Sequence, residues 1–208
     1  MKFEDILHRC FRCGYCKLPS NYVDINCPSY LAYGFETYSP GGRMWLIRAW
    51  LDKKIETSPR LAEIFFSCAT CANCVEHCAM PGFKDDILFA FNAAKEKMLD
   101  SGRVPAAVSD YLTRVQLHKN PYGKPASKRA DWAKTANIPE YDGQEYLFFA
   151  GDTGAYDPRG REIAASVAAL LLRAGISIGV MADNETSDGN DVRAVGETLL
   201  AEELAKKN

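Results

Sequence analysis

Two short cysteine runs constrain this chain more than any other feature of its sequence. The first run, CFRCGYC, covers residues 10–16, and the second, CATCANC, covers residues 68–74. Each has a cysteine at every third position, and each is followed by one further cysteine, Cys27 after the first run and Cys78 after the second. The chain of 208 residues has eight cysteines in all, so every one lies within the first 78 residues.

Eight cysteines can form either disulfides or metal sites. The N-terminal sequence MKFEDILHRC lacks the apolar segment of a secretory signal. Disulfide-rich secreted domains are also smaller and richer in cysteine than this chain. We therefore expect a cytoplasmic protein whose clustered thiols bind metal.

The spacing of the cysteines indicates which metal group they bind. A Cys-x2-Cys-x2-Cys run supplies three thiolates to a [4Fe-4S] cluster, and in two-cluster ferredoxins the cysteine that follows each run ligates the other cluster. We therefore predict two [4Fe-4S] clusters with crossed ligation. The first cluster is assigned to Cys10, Cys13, Cys16 and Cys78, and the second to Cys68, Cys71, Cys74 and Cys27.

Structural zinc is the alternative, because zinc also binds four thiolates. Zinc ribbons use separated Cys-x2-Cys pairs, so a third cysteine at the same spacing favours iron–sulfur clusters. The first motif departs from ferredoxin spacing, because KLPSNYVDIN (residues 17–26) separates Cys16 from Cys27 and is expected to form a loop. His77 is expected to be a partly exposed bystander. Either cluster shielding or ordinary core packing explains the nearby aromatic residues Phe11, Tyr15, Tyr22, Phe65 and Phe66.

Composition argues against several other classes of function. The formal net charge is −2 with both signs interspersed, which gives no electrostatic argument for nucleic-acid binding. The longest apolar run, residues 167–172, is too short to cross a bilayer, so no direct membrane insertion is expected. The sequence shows no constellation of catalytic acid, base and nucleophile, and we predict no catalytic residue.

Hydrophobic periodicity predicts a mainly α fold in two parts. Residues 1–138 are predicted to form an α-helical domain, in which Ile87, Phe91, Ala94 and Met98 make one apolar helical stripe. Residues 139–208 are predicted to form a small parallel β-α-β-α segment. Its strands are the runs EYLFFAG and ISIGVMAD, expected to be covered on both faces, and its last helix is expected over residues 192–207.

These motifs resemble those of the iron–sulfur subunits of the heterodisulfide reductase type, a group that includes the C subunit of anaerobic glycerol-3-phosphate dehydrogenase. The resemblance runs through CFRCGYC, CPSYLAYGFETYSPGGRMWLIRAWL, FFSCATCANCVEHC and NPYGKPASKRADW, and it continues through residues 146–185. It implies an α-helical ferredoxin domain followed by a truncated CCG-like domain. Asp152, Ser187 and Asp188 stand where that family has cysteines, so the resemblance implies a tail without those ligands.

The predicted function is electron transfer within a multi-subunit anaerobic oxidoreductase. The chain would relay single electrons through two [4Fe-4S] clusters, with a content of ~8 iron atoms. Its expected partners are a flavoprotein, a catalytic subunit or both. The chain itself is expected to be a non-catalytic subunit that passes electrons between its partners. A free-standing ferredoxin-like carrier is the first alternative, and a zinc-stabilised interaction module is the second.

Overall fold

The computed structural model describes residues 3–18, 26–80 and 82–208, which are mainly helical as predicted. The helices in these ranges are α1 (Phe3–Leu7), α2 (Pro28–Tyr33), α3 (Pro40–Leu51), α4 (Pro59–Phe66), α5 (Asn73–Glu76), α6 (Ile87–Asp100), α7 (Ala106–His118), α8 (Asp131–Thr135), α9 (Gly151–Tyr156), α10 (Pro158–Arg173), α11 (Asn190–Ala194) and α12 (Thr198–Lys207). Two strands, β1 (Tyr146–Leu147) and β2 (Ile178–Gly179), complete the regular structure of the described residues, together with short 3-10 turns.

Contacts between residues divide the chain into two compact units. Unit 1 comprises the chain up to Val108 together with Arg193–Thr198, and unit 2 comprises Ser109–Val192 together with Leu199–Asn208. The first boundary between these units lies after Val108. The domain boundary predicted from the change in the hydrophobic pattern of the sequence lies after residue 138. The chain passes from one unit to the other within α7.

In unit 1, the start of α3 is fixed by local capping. The Ser39 hydroxyl accepts a hydrogen bond from the backbone N–H of Gly42 at 3.0 Å, and Pro40 occupies the first turn, where its missing N–H is not needed. The backbone of Gly42 lies against the 3-10 turn Glu36–Tyr38. A Cβ atom at residue 42 would lie 1.9 Å from the carbonyl oxygen of Glu36. Only glycine therefore allows α3 to begin this close to the preceding turn.

The core of unit 1 is built on α6. The predicted stripe is confirmed, because all four of its residues are buried, with Ala94 and Met98 completely so. These side chains belong to one apolar cluster with residues of α1, α3 and α4. Burial of a large aliphatic or aromatic side chain contributes about 1.5–3 kcal/mol, so this cluster accounts for much of the stability of the unit.

In unit 2, α10 and the two strands form the predicted parallel arrangement. Tyr146 lies opposite Ile178 and Leu147 lies opposite Gly179 in a parallel ladder. α10 begins at Pro158, where the Asp157 side chain accepts a hydrogen bond from Gly160 N. The α helix between two parallel strands is therefore confirmed.

The prediction of two strands covered on both faces is wrong for β1. Tyr146 and Leu147 are exposed, whereas β2 is buried. The next residue, Phe148, points towards the core and packs on Trp132 with ring centroids 5.8 Å apart. A continuous apolar run does not reveal which of its residues face the core, and here only part of the run does.

The single final helix predicted over residues 192–207 is also wrong. Gly196 separates α11 from α12, because its φ of +94° lies outside the helical range. A Cβ atom at residue 196 would lie 2.7 Å from the backbone nitrogen of Glu96, so the segment 193–198 packs closely on α6 within unit 1. This contact interrupts the helix that the periodicity predicts.

We predict that Gly42→Ala destabilises unit 1 by about 1–3 kcal/mol or more, because the added methyl group overlaps the Glu36 carbonyl. Gly41→Ala is the matched control, since a Cβ there would meet its nearest described neighbour at 3.8 Å. Anaerobic urea unfolding of the two variants measures the difference. Equal midpoints for Gly42→Ala and the wild type would contradict the packing described here.

Candidate metal centres

The first candidate site, which we call the first site, is a cavity at the N-terminal cysteine run. It encloses about 390 Å³, part of it open to solvent. Four cysteines line it, namely Cys10, Cys13, Cys16 and Cys78. Apart from Arg12, the remaining lining is apolar or glycine, and it includes Met44, Phe83 and Ile87. The structure thus brings together the four residues assigned to the first cluster from the sequence.

The second site is a cavity of about 320 Å³ at the other run. The cysteines that line it are Cys27, Cys68, Cys71 and Cys74, which are the four residues assigned to the second cluster. In both sites the middle cysteine of the run, Cys13 or Cys71, is exposed to solvent. The third cysteine is more enclosed, and Cys74 is buried.

One long-range hydrogen bond holds each fourth cysteine near the other run. Arg9 Nη1, just before the first run, donates to the carbonyl of Gly82 at 3.2 Å, beyond Cys78 in sequence. The Asn73 side chain, inside the second run, donates to the carbonyl of Asn26 at 3.1 Å, next to Cys27. These bonds join the segments that the crossed assignment requires to be adjacent.

The two sites adjoin each other at the N-terminal end of α3. Pro40 lines both cavities, and Cys16 of the first site is among the neighbours that raise the pKa of Cys74 in the second. The backbone of Gly41 hydrogen-bonds the sulfur of Cys16. A helix N-terminus carries partial positive charge, which favours anionic groups such as thiolate-bound clusters.

The backbone of the two runs alternates in the same way. Among the described residues, φ is positive at Arg12 and Gly14 in the first run and at Thr70 and Ala72 in the second, with negative φ between them. Backbone alternating between right- and left-handed conformations turns successive N–H groups towards one concave side, a geometry that recurs at iron–sulfur sites. The two runs therefore share one backbone conformation as well as one spacing.

Burial keeps the enclosed thiols protonated when no metal is bound. It raises the pKa of the Cys16 thiol to about 12, although the hydrogen bond from Gly41 opposes the rise. Burial likewise raises the pKa of Cys74 to about 12, and the neighbouring cysteines raise it further. The pKa of Cys10 is raised as well, again chiefly by burial. Metal ligation requires the thiolate, so binding at these sites must displace protons.

Two buried cations that the sequence analysis missed lie at the second site, one in its lining and one bound to the backbone of Cys68. Arg43 lines the cavity and is 1% exposed, and Lys95 is also 1% exposed. Lys95 Nζ donates to the carbonyl of Cys68 at 3.1 Å and to that of Ala194 at 2.6 Å. Burial lowers the pKa of Lys95, and Arg43 lowers it further, although the neighbouring Cys68 opposes the shift. The sequence contains a signal that Lys95 is buried, because this residue lies four positions after Phe91 and thus on the buried stripe of α6.

Other residues singled out in the sequence have different placements. His77 is exposed and its Nδ1 lies 2.9 Å from the carbonyl of Asn73. Phe65 is buried in the core of unit 1, whereas Phe11 is 71% exposed. The expected loop after Cys16 lies mostly outside the described residues, and so do Tyr22 and Pro81.

In unit 2, Asp152 takes part in a buried ion network. It pairs with Arg129 at 2.8 Å, and Arg129 also pairs with Glu185 at 2.8 Å. Ser187 is buried, and Asp188 accepts a hydrogen bond from the backbone N–H of Asn190. Across residues 3–18, 26–80 and 82–208, no group of three or more His, Cys, Asp or Glu converges on a point where it could hold a single metal ion. The thiols of the two sites instead surround cavities, as ligands of a multi-metal cluster must.

Within the described part of the chain, no helix is both long and apolar enough to span a membrane.

Comparison with known proteins agrees with the cysteine geometry. Residues 6–81, which include all eight cysteines, match the family model of the 4Fe-4S dicluster domain. This match supports binding of [4Fe-4S] clusters by this segment of the chain. No solved structure matches the chain significantly.

Three curated relatives extend the similarity beyond the cysteine runs. A protein of Bacillus subtilis named "Probable iron-sulfur-binding oxidoreductase FadF" is 31% identical over 156 residues, which cover 70% of this chain and 22% of the relative. The "EtfAB:quinone oxidoreductase" of Syntrophomonas wolfei is 27% identical over 71% of this chain and 21% of its own length. A "Probable membrane-anchored ferredoxin" of Chromohalobacter salexigens is 26% identical, again over 71% of this chain and 22% of its own length. The chain thus spans about a fifth of the length of these relatives.

We predict opposite responses to exchanging glycine and alanine at the equivalent positions of the two runs. Gly14→Ala places a side chain at a φ of +88° and costs about 1–2 kcal/mol, which should speed iron release to a chelator. Ala72→Gly relieves a non-glycine residue at a φ of +65° and should leave iron release unchanged or slower. Faster release from Ala72→Gly than from Gly14→Ala would contradict the shared backbone conformation.

Proposed function

We propose that this chain is an electron-transfer subunit that holds two [4Fe-4S] clusters by crossed ligation. Cys10, Cys13, Cys16 and Cys78 ligate the first, and Cys27, Cys68, Cys71 and Cys74 ligate the second. The observation that carries the proposal is the pair of adjoining cavities, each lined by three cysteines of one run and the fourth from the other. The clusters supply reversible one-electron chemistry.

The residues around the sites suit passage of electrons better than catalysis. All four thiolates of each site belong to the protein, so no position is kept for a substrate. The exposed Cys13 and Cys71 bring each site to the surface, where a partner can deliver or accept an electron. Cys16 and Cys74 bring the two sites close to each other inside the unit. This arrangement suits entry of an electron at one site, its transfer across the unit and its exit from the other site.

The partner we propose is a flavoprotein or a catalytic subunit of an oxidoreductase, as in complexes of the heterodisulfide reductase type. The relatives named as an iron–sulfur-binding oxidoreductase and as an EtfAB:quinone oxidoreductase support a place in such an electron-transfer system. The relative named as a ferredoxin favours the second candidate, a free-standing carrier. Anaerobic purification distinguishes the two, because a subunit co-purifies in fixed ratio with other chains and a carrier does not. The cytoplasmic location expected from the sequence stays a prediction.

Crossed ligation predicts which cysteines affect the same cluster. Cys27→Ser should perturb the same magnetic resonance signal of the reduced protein as Cys71→Ser, because both residues line the second site. It should leave intact the signal that Cys13→Ser removes. The wild type should contain ~8 iron atoms per chain, as two four-iron clusters require.

Ala69→Ser is the matched control for these variants. It adds a hydroxyl group to the lining of the second site without removing a thiol, and both signals should survive it. A signal shared by Cys27→Ser and Cys13→Ser would disprove the crossed assignment. A colourless protein that contains zinc would disprove the proposed function altogether.

Cluster removal should unfold unit 1 before unit 2. The thiolates of each site come from segments far apart in sequence, so loss of iron removes the link between them. Hydrogen exchange after anaerobic chelation should show lost protection in α3 and α6, while α10 of unit 2 stays protected. Retained protection throughout α3 and α6 would contradict this expectation.

A further inference from the structure

Arg43 in the lining of the second site and Lys95 beside it are buried cations whose hydrogen-bond partners, in the described part of the chain, are all uncharged. Arg43 Nε donates to the carbonyl of Ile64 at 2.9 Å and Nη1 donates to that of Tyr38 at 2.8 Å. Its Nη2 donates to the hydroxyls of Ser29 and Ser67, both at 2.7 Å. The partners of Lys95 are two carbonyls. Among the described residues, neither cation forms an ion pair with a carboxylate.

Buried charge of this kind is costly unless an opposite charge lies nearby. Hydrogen bonds to neutral acceptors satisfy the N–H groups, but they leave the positive charge uncompensated. Unit 2 shows the usual arrangement, in which buried Arg129 pairs with two carboxylates. A nearby negative charge would therefore stabilise Arg43 and Lys95. The described residues next to them supply only thiols.

The second site supplies that anion when a cluster is bound. Four cysteine thiolates give the site a net negative charge, and reduction adds one more negative charge. Arg43 lines this cavity, and its guanidinium donates to Ser29 Oγ, which lies 3.4 Å from Cys27 Sγ. Lys95 binds the backbone of a second proposed ligand, Cys68. Both cations are thus placed to stabilise the extra electron.

Among the residues that the structure describes, the lining of the first site contains no buried cation. Arg12 lines its cavity but is exposed and lies over the Trp45 ring, 4.4 Å from the ring centroid. The nearby Lys17 is paired with Glu36. Solvent screens an exposed charge far more than a buried one, so Arg12 stabilises a reduced cluster less than Arg43 and Lys95 do.

We propose, on the basis of the proposed function, that Arg43 and Lys95 raise the reduction potential of the second site above that of the first. The second site is then the electron acceptor within the chain. One electron leaves the cluster of the first site and enters that of the second, and no bond is made or broken and no proton is required. A partner that donates electrons docks at the first site, near Cys13, and the electron leaves through the second site, near Cys71.

The test is an anaerobic redox titration of the whole chain, monitored by magnetic resonance, with the signals assigned through Cys13→Ser and Cys71→Ser. Lys95→Met removes the charge and keeps much of the apolar side chain. It should lower the equilibrium constant for reduction of the second site about tenfold or more, since removal of a buried unit charge has effects of this size. Tenfold corresponds to about 59 mV for one electron. The potential of the first site should change much less.

Lys97→Met is the matched control. Lys97 lies two residues further along α6, is exposed, and its replacement changes the net charge equally. It should shift neither potential by as much as Lys95→Met shifts that of the second site. Equal shifts for the two variants would mean that net charge alone acts, and would overturn the proposal.

Ser29→Ala tests the same proposal at a second position. It is the deciding variant if Lys95→Met does not bind both clusters. It removes the hydroxyl that accepts from Arg43, donates to the carbonyl of Tyr38 and lies 3.4 Å from Cys27 Sγ, and it should lower the potential of the second site alone. Arg43 itself is unsuitable, because its removal takes one hydrogen-bond donor from each of four buried or partly buried acceptors.

The outcomes separate this inference from the proposed function. A wild type without four-iron clusters overturns both. Suppose that the wild type contains two clusters. The inference alone is then overturned if Lys95→Met also contains both clusters and its second-site potential equals that of the wild type. If only Ser29→Ala contains both clusters, an unchanged second-site potential in that variant overturns the inference. A second site with the lower potential in the wild type also overturns it.

Discussion

The packing of both cysteine runs against the N-terminal end of α3 is the constraint on which unit 1 depends. Pro40 borders both cavities, Gly41 hydrogen-bonds the sulfur of Cys16, and Gly42 lies in contact with the preceding turn. Arg43 then extends into the surroundings of the second site. Four consecutive residues thus connect the helix start, the close approach of the backbone and the two sites. Within Pro-Gly-Gly-Arg, Gly42 has the least freedom to change, because a Cβ atom there would lie 1.9 Å from the carbonyl oxygen of Glu36.

The two buried arginines of the chain show two solutions to the same electrostatic problem. Arg129 in unit 2 is neutralised by Asp152 and Glu185, a network that is complete within the protein. Arg43 in unit 1 has neutral hydrogen-bond partners throughout the part of the chain that the structure describes. Asp152 thus forms part of an ordinary ion network. The acidic residue at this position therefore has a structural role that needs no metal.

Much of the candidate site could be predicted from the sequence, because ligand spacing is a local property. The positions of Cys10, Cys13 and Cys16 along one run follow from the run itself, and the partner of each run follows from the rule for two-cluster ferredoxins. The buried stripe of α6 is also local and was predictable from its period. Lys95 was missed because a charged residue is not expected on a buried stripe unless its partner is known, and its partners are distant carbonyls. Gly196 ended a predicted helix through a contact with α6 that no local pattern encodes.

Unit 1 is discontinuous in sequence, because Arg193–Thr198 belongs to it and Ala194 binds Lys95 beside the second site. A ribosome that has synthesised both cysteine runs and α6 has therefore not yet made everything that the unit contains. At 5–20 residues per second, the intervening residues take roughly 5–20 s to synthesise. During that interval the thiols are present while the segment over Lys95 is missing. Cluster insertion that requires the finished unit must therefore wait until residues 193–198 have been translated.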